Sequence, residues 1–196
     1  SNLSGPRRIK AGSARDHLLG FHAVSGRGEA IKSGGKVVKN VTGYDLSKLM
    51  VGSWGTLAVM HEISLKVLPA PESIRTVLVF GLGEQQAIDI LGKSMSSPHD
   101  VSGAAHVPEK LIGSFNTSYV SKNGASVTAI RLEGIKSSVE YRCQELLSTL
   151  SSLGEVEELH SHNSLQFWAD IRDVIPYSGC NRAIWRVSVP PSSGAK

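Results

Sequence analysis

Residues 34–69 constrain the fold more than any other part of this sequence. In this stretch, turn-forming residues directly precede residues with the pattern of a strand. They hold the run Asn40-Val41-Thr42-Gly43-Tyr44-Asp45 and then the turn Gly52-Ser53-Trp54-Gly55-Thr56. After this turn, residues 57–68 read as one long strand or two short ones, and residues 62–67 alternate between polar and apolar side chains. Glycines let a backbone approach a bulky ligand closely, and Asn, Ser and Thr supply short hydrogen-bonding groups. The stretch therefore predicts strands and turns whose loops can line a ligand.

These residues resemble the second FAD-contacting segment of the vanillyl-alcohol-oxidase (PCMH-type) flavoproteins, and among them an FAD-binding subunit of the bacterial glycolate oxidase complex. Residues 12–20, 131–134, 167–168 and 185–191 share this resemblance. It implies an α+β fold in two parts. Residues 1–71 would be the C-terminal part of a PCMH-type FAD-binding domain, a mostly antiparallel sheet with short helices. Residues 72–196 would be a ferredoxin-like cap or substrate domain.

The resemblance also implies which residues contact FAD. They are Gly12, Ser13, Asn40, Thr42, Gly43, Tyr44, Gly52, Ser53, Gly55, Thr56, Leu57 and Val59. The family's pyrophosphate loop has no counterpart here, since the chain contains neither a Walker motif nor GxGxxG. We therefore interpret the sequence as an internal fragment of a larger flavoprotein. A fragment without that loop is expected to bind FAD weakly and to be inactive alone.

The family's chemistry implies a FAD-dependent oxidoreductase that oxidises a small 2-hydroxy acid such as glycolate. It also implies a complex with a second flavoprotein subunit and an iron–sulfur subunit. The sequence assigns no catalytic residue. Two alternatives stay open, namely a D-lactate-dehydrogenase-like flavoenzyme and a non-catalytic FAD-binding or docking subunit.

Composition narrows the possible partners and compartment. The formal net charge is +4, and the lysines and arginines are scattered, so we expect no nucleic-acid partner. Two cysteines are too few for an iron–sulfur cluster, and their spacing matches no metal site. No apolar run is long enough to insert into a membrane. We expect a cytoplasmic protein, either free or held at the inner membrane through its complex.

Periodicity predicts the remaining elements. Residues 10–24 read as a strand, followed by a hairpin turn at residues 25–28. Beyond the linker Pro69-Ala70-Pro71, a β-α-β-β-α-β order predicts a ferredoxin-like unit with helices over residues 84–95 and 137–153. Between them, residues 108–125 read as a loop. A last helix would begin at Asn163 or Ser164, a further strand would cover residues 183–189, and residues 190–194 read as a frayed tail.

Several single residues allow two interpretations. Asp45 is favoured as the N-cap of a short helix, whereas Gly55 and Thr56 are favoured as ligand contacts. Tyr44 could stack on a ligand or fill an interface between subdomains. Arg15 and Asp16 could pair with one another or with neighbours across the sheet, and a surface ion pair is favoured over an anion site. His160 and His162 lack a third ligand, so no metal site is expected.

Overall fold

The computed structural model describes residues 1–39 and 43–195. The chain divides into two compact units, Ser1–Ala70 and Pro71–Lys196. The division falls within the linker Pro69-Ala70-Pro71, where paired prolines interrupt the ladder hydrogen bonds that a strand requires. The α+β class and the predominance of antiparallel sheet, both predicted from the sequence, are confirmed.

In its described residues, the first unit has a three-stranded antiparallel sheet and three short helices. Its elements are α1 (Arg8–Ala11), α2 (Ala14–His17), β1 (Leu18–Ser25), β2 (Ala30–Gly34), α3 (Leu46–Met50) and β3 (Ala58–Leu65), and the strand order is β2-β1-β3. Phe21, Ala23, Met50 and Ala58 form its small buried core. Most of β3 is exposed, including Ile63 and Leu65, although alternation predicts that one face of this strand is covered.

The beginning of the predicted first strand is helical instead. Residues 10–17 contribute to α1 and α2, and β1 starts only at Leu18. The reason is a capping box, in which the backbone N–H and the hydroxyl of Ser13 both donate to Asp16 Oδ2, at 2.7 and 2.8 Å. Asp16 therefore serves the start of α2, a role that was not predicted for it. These hydrogen bonds lower the pKa of Asp16.

The predicted hairpin is confirmed, and it depends on two glycines that face one another. Gly20 of β1 pairs with Gly34 of β2. A Cβ atom on Gly34 would lie 2.1 Å from the carbonyl oxygen of Leu19, which is backbone and cannot move aside easily. Gly34 also has φ +69°, a left-handed conformation that suits glycine. The close approach of β1 and β2 therefore requires glycine at position 34.

We expect Gly34→Ala to separate β1 from β2 and to destabilise the first unit by about 2 kcal/mol or more, since steric overlap adds to left-handed strain. The matched control is Gly28→Ala in the same hairpin. Gly28 also has a positive φ, but a Cβ there meets nothing within 4 Å. Urea unfolding would measure both variants, and equal losses of stability would contradict the close-approach argument.

The second unit has the ferredoxin-like order predicted from its periodicity. Its elements are β4 (Ser73–Phe80), α4 (Glu84–Met95), β5 (Gly103–Val107), α5 (Glu109–Ile112), α6 (Ser118–Asn123), β6 (Val127–Gly134), α7 (Lys136–Leu150), β7 (Val156–His160) and α8 (Ser161–Arg172). The strand order is β5-β6-β4-β7, and each neighbouring pair is antiparallel. This sheet carries the larger core of the chain.

Both faces of the second sheet are covered. On one face, Val77, Val79 and Ile130 pack with residues of α4 and α7, among them Val139 and Leu146. On the other face, side chains of α5, α6 and α8 pack on alternate strand residues. That cluster includes Leu78, Phe80, Val127, Ala129, Ile112, Val120, Phe167 and Trp168. Successive side chains of β4 enter the two cores in turn, because side chains in a strand point to opposite faces at every second residue.

Four predictions for the second unit are wrong. Residues 108–125, predicted as a loop, contain α5 and α6. Neither Asn163 nor Ser164 caps α8, because the helix begins at Ser161. Ser164 is instead fully buried inside α8, with its hydroxyl 2.7 Å from that of Thr76. Residues 183–189 form no strand, and residues 190–194 contain the 3-10 turn Pro191–Ser193.

Candidate functional site

Helix α3 is the element that positions the predicted ligand loops of the first unit. Asp45 caps it as predicted, since its Oδ1 accepts a hydrogen bond of 3.1 Å from the backbone N–H of Lys48. The Lys48 ammonium then donates to the carbonyl oxygens of Arg15 and Leu18, at 2.6 and 3.1 Å. A helix of one turn is not stable by itself. Its contacts with the α2–β1 segment fix it, and the loops on either side project from a fixed point.

A cleft of about 440 Å³ lies on one side of α3. Its walls are mainly apolar and come from α2, β1, the end of α3, the following turn and β3. They include Ala14, Leu18, Met50, Val51, Trp54, Ala58, Met60, Ile63 and Leu65. The exposed apolar face of β3 is therefore one wall of this cleft. Its volume lies within the range of about 300–1,000 Å³ that is usual for small-molecule sites.

A second, smaller cleft of about 120 Å³ lies beside the start of α3. It is more polar than the first, because hydrogen-bonding side chains of α3 and its cap form part of its wall. Its lining includes Leu19, Ser33, Gly34, Val37, Val38, Asp45, Ser47 and Lys48. Leu18 lines both clefts, so they lie next to each other on the same unit.

The structure places part of the predicted FAD-contact set on these clefts. Ser53, Gly55 and Val59 line the larger cleft, and Gly43 and Tyr44 line the smaller. Five other predicted contacts lie in the same unit but line neither of the two clefts, namely Gly12, Ser13, Gly52, Thr56 and Leu57. Asn40 and Thr42 lie outside the described residues. The site is thus built by two loops on either side of one short helix.

Two of the five residues off the clefts have local structural contacts. Ser13 is buried and belongs to the capping box of α2. The hydroxyl of Thr56 donates to the carbonyl oxygen of Ser53 at 2.6 Å, closing the turn after α3. These bonds explain both side chains without a ligand. Thr56 still contributes indirectly to the candidate site, because its hydrogen bond shapes the turn that contains Gly55.

The shape of the clefts fits a bulky planar group held between backbone loops. Gly43 and Gly55 both have positive φ, +71° and +79°, and a Cβ at either position would meet nothing within 4 Å. Their backbones therefore border open space that a side chain would partly fill. Tyr44 and Trp54 are 92% and 75% exposed as residues, so neither belongs to the core of the unit. Exposed rings beside bare backbone suit a flavin or a nucleotide.

Sequence reasoning missed several residues of the cleft walls. Leu18, Met50 and Ile63 come from three different elements, and only the folded sheet brings them to one cavity. The apolar alternation of β3 was a usable signal for Ile63. No neighbouring sequence feature indicated the role of Lys48. Its ammonium group connects α3 to the α2–β1 segment by hydrogen bonds.

Other classes of site find little support in residues 1–39 and 43–195. Over these ranges, His, Cys, Asp and Glu side chains form no group of three that could hold a metal ion. Within the same ranges, no helix is long and apolar enough to cross a bilayer. Of the two cysteines, Cys143 is buried between the second sheet and α7, and burial raises its pKa to about 12. That thiol is therefore protonated and unreactive at neutral pH.

His106 lies on the edge strand β5, where a hydrogen bond and partial burial define the surroundings of its imidazole. Its Nδ1 lies 2.9 Å from the hydroxyl of Thr128 on the neighbouring strand. Burial lowers its pKa, and Glu84 opposes that effect in part. The neutral imidazole is therefore the favoured form in the folded protein.

This environment predicts an acid-sensitive second unit. The contribution of His106 to stability is fully present above about pH 6.5, the ordinary pKa of histidine, and is lost as the pH falls toward the lowered folded-state pKa. We expect His106→Gln, which can still bond Thr128, to flatten this part of the stability profile. Urea midpoints between about pH 7.5 and 4.5 would measure it. A matched His99→Gln control should keep the slope, and parallel profiles for H106Q and the parent would contradict the assignment.

No family profile matches the sequence, but single proteins do. The chain is 35% identical over 189 residues to glycolate oxidase subunit GlcE of Escherichia coli, covering 96% of this chain and 45% of that subunit. It is 44% identical over 78 residues to the FAD-linked oxidoreductase Rv2280 of Mycobacterium tuberculosis, covering 40% of this chain and 17% of that protein. This chain is a homologue of the FAD-linked oxidoreductases. It spans less than half the length of these relatives.

The chain is also similar to a D-lactate dehydrogenase of Anaerostipes hadrus. It is 40% identical over 79 residues, which cover 40% of this chain and 17% of the enzyme. Among solved structures, alkyldihydroxyacetonephosphate synthase superposes with a TM-score of 0.68 at 19% identity, covering 90% of this chain and 35% of that one. At this identity the superposition shows a shared fold. The chain therefore shares the fold of one part of that larger protein, about a third of its length.

Proposed function

We propose that this chain is part of a FAD-dependent oxidoreductase that acts on a small 2-hydroxy acid such as glycolate. The observation that carries the proposal is the agreement between the cleft of the first unit and the proteins it resembles. That cleft offers bare glycine backbone, exposed aromatic rings and apolar walls, and the sequence is similar along 96% of its length to a glycolate oxidase subunit.

In this proposal the first unit holds part of the FAD. Residues 1–71 correspond to the C-terminal part of a PCMH-type FAD-binding domain, and residues 72–196 to the cap or substrate domain. Gly55, Val59 and the Trp54 ring would contact the cofactor in the larger cleft, and Gly43 and Tyr44 would contact it from the smaller. Asn40, Thr42, Gly12, Ser13, Gly52, Ser53, Thr56 and Leu57 complete the proposed contact set.

FAD supplies the redox chemistry, since an oxidised flavin accepts the two electrons removed when an alcohol becomes a carbonyl. The residues of this chain would bind and orient it. Bare backbone at Gly43 and Gly55 gives close approach, and the apolar walls keep water away from one side of the ring. The described residues assign no base for the hydroxyl proton.

We further propose that the protein works in a hetero-oligomer with a second flavoprotein subunit and an iron–sulfur subunit, in the cytoplasm or at the inner face of the membrane. GlcE is named as a subunit, which supports an assembly. A second candidate substrate is D-lactate, because a D-lactate dehydrogenase is among the relatives.

The test is the visible spectrum of the complete gene product, alone and co-purified with its partner subunits, before and after anaerobic addition of glycolate. We expect a flavin absorption band that bleaches with glycolate. Bleaching by D-lactate and not by glycolate would replace the substrate. A yellow protein that no 2-hydroxy acid bleaches would favour a non-catalytic FAD-binding or docking subunit, and a colourless one would overturn the cofactor assignment.

A further inference from the structure

The segment of residues 183–189, here called the strap, has the pattern of a strand and lies outside any sheet. Trp185, Val187 and Val189 alternate with Ile184, Arg186 and Ser188, so an extended strap would present two different faces. Trp185 is 84% exposed and Val187 is 77% exposed. Throughout the described residues, no backbone hydrogen bond joins the strap to another segment. A strand pattern with bare backbone gains hydrogen bonds when it pairs with a sheet edge.

One open edge of the second sheet is β5, and residues on either side of the strap line cavities together with it. Among the described strands, β5 pairs only with β6, so its other side is an open edge. Residues before and after the strap each share a cavity with residues of β5. Before the strap, Val174 and Tyr177 share a cavity of about 110 Å³ with Val107 at the end of β5. After it, Gly194 shares a cleft of about 670 Å³ with Ala104 and His106.

The two cavities lie on opposite faces of β5, and their chemistry matches the two faces of the strap. The smaller cavity, on the α8 side, is lined by Leu111, Phe115 and Ile171 and suits Trp185 and Val187. The larger cleft, on the α4 side, is lined by Ile88, Leu91 and Glu84. It suits Ile184 and Arg186, because the guanidinium of Arg186 would face the carboxylate of Glu84.

Length and direction also fit. A strap of this length spans about 23 Å when extended, against about 17 Å for β5. The chain reaches the strap from Tyr177, at the carboxyl end of β5, so the strap would run antiparallel to it. Antiparallel pairing matches the other ladders of this sheet.

We propose that the strap docks on the open edge of β5 as a fifth, antiparallel strand of the second sheet. Trp185 and Val187 then cover the apolar cavity on the α8 side, and Arg186 pairs with Glu84 on the α4 side. Docking closes the edge side of the cleft at His106, so the strap is a closing element for that cleft. The proposal does not depend on flavin binding.

Amide hydrogen exchange on the complete gene product tests this proposal. We expect the strap and β5 to be protected together, with strap amides exchanging on the order of 100-fold more slowly than in an unfolded peptide. Val187→Pro removes an N–H from the ladder and should raise exchange in both segments. Strap amides that exchange at peptide rates would overturn docking. If the strap is protected but the exchange rates of the β5 amides do not change in the V187P variant, β5 is the wrong edge.

A charge exchange tests the pairing and its direction. Arg186→Glu should lower strap protection about tenfold, and the double variant E84R/R186E should restore it. Arg182→Glu is the matched control, since Arg182 precedes the strap and should leave its protection nearly unchanged. Failure of the double variant to recover would overturn the assigned face. Protection that rises with protein concentration would show that a second copy supplies the strap and would overturn docking within one chain.

Discussion

Replacing Phe167 by alanine should cost about 3–5 kcal/mol of unfolding free energy in the second unit, the usual range for a fully buried phenylalanine. Phe167 is fully buried on the α8 side of the sheet. Its ring lies 5.3 Å from that of Phe115 and 5.6 Å from that of Trp168, so its loss removes two aromatic contacts as well as buried area.

Trp168 makes this site less able to collapse around a cavity. Its indole N–H donates to the hydroxyl of Thr76 at 2.8 Å, and that hydroxyl also bonds Ser164. Moving the indole toward the empty volume would break a buried hydrogen bond, which costs about 1–3 kcal/mol. The cavity left by Phe167→Ala is therefore expected to persist.

Guanidinium unfolding followed by circular dichroism would measure the loss. Leu165→Ala is the matched control, because Leu165 lies on the same helix with half of its surface exposed, and it should cost about 1 kcal/mol or less. A loss below about 1.5 kcal/mol for Phe167→Ala would show that α8 packs loosely on the sheet.

The second unit could be predicted from the sequence because its elements are long and periodic. The helix expected at residues 84–95 is α4, Glu84–Met95, with the same bounds, and the helix expected at residues 137–153 is α7, Lys136–Leu150. In such elements the burial of one face every three or four residues decides the structure, and the sequence displays that directly. The short helices α5 and α6 carry too few turns for a period to show.

The start of the first unit was mispredicted because local hydrogen bonds outweigh strand propensity there. Ser13 and Asp16 have the spacing of a capping box, and that spacing was a visible signal for α2. The strap was mispredicted for the opposite reason. Its pattern is that of a strand, yet a strand needs a neighbour, and pairing is a property of the tertiary structure.

The candidate site also has features that local sequence predicts and features that only the tertiary structure creates. The turn glycines and the Asp45 cap could be predicted, because each depends on its neighbours in sequence. The cleft walls could not, since Leu18, Met50 and Ile63 meet only after β1 and β3 pair. Such a wall is set by strand register, and a shift of one residue would turn Ile63 away from it.

Replacing Gly55 by asparagine should weaken FAD binding by the complete gene product about 10- to 100-fold while leaving it folded. Asparagine tolerates the left-handed conformation that φ +79° requires, so the backbone cost is small. A Cβ at Gly55 meets no protein atom within 4 Å, and the new side chain would therefore extend into open space beside the larger cleft. The loss comes from occupied volume where the cofactor is proposed to lie.

Gly28→Asn is the matched control. Gly28 has φ +78° and also meets no atom within 4 Å, but it lies in the β1–β2 turn and lines neither cleft. Both variants carry nearly the same backbone cost, so they differ only in whether the side chain borders the cleft. Titration of the apoprotein with FAD, followed by flavin fluorescence, would measure the two affinities. Equal affinities would place the cofactor elsewhere, and a loss confined to Gly55→Asn would locate it against the turn that follows α3.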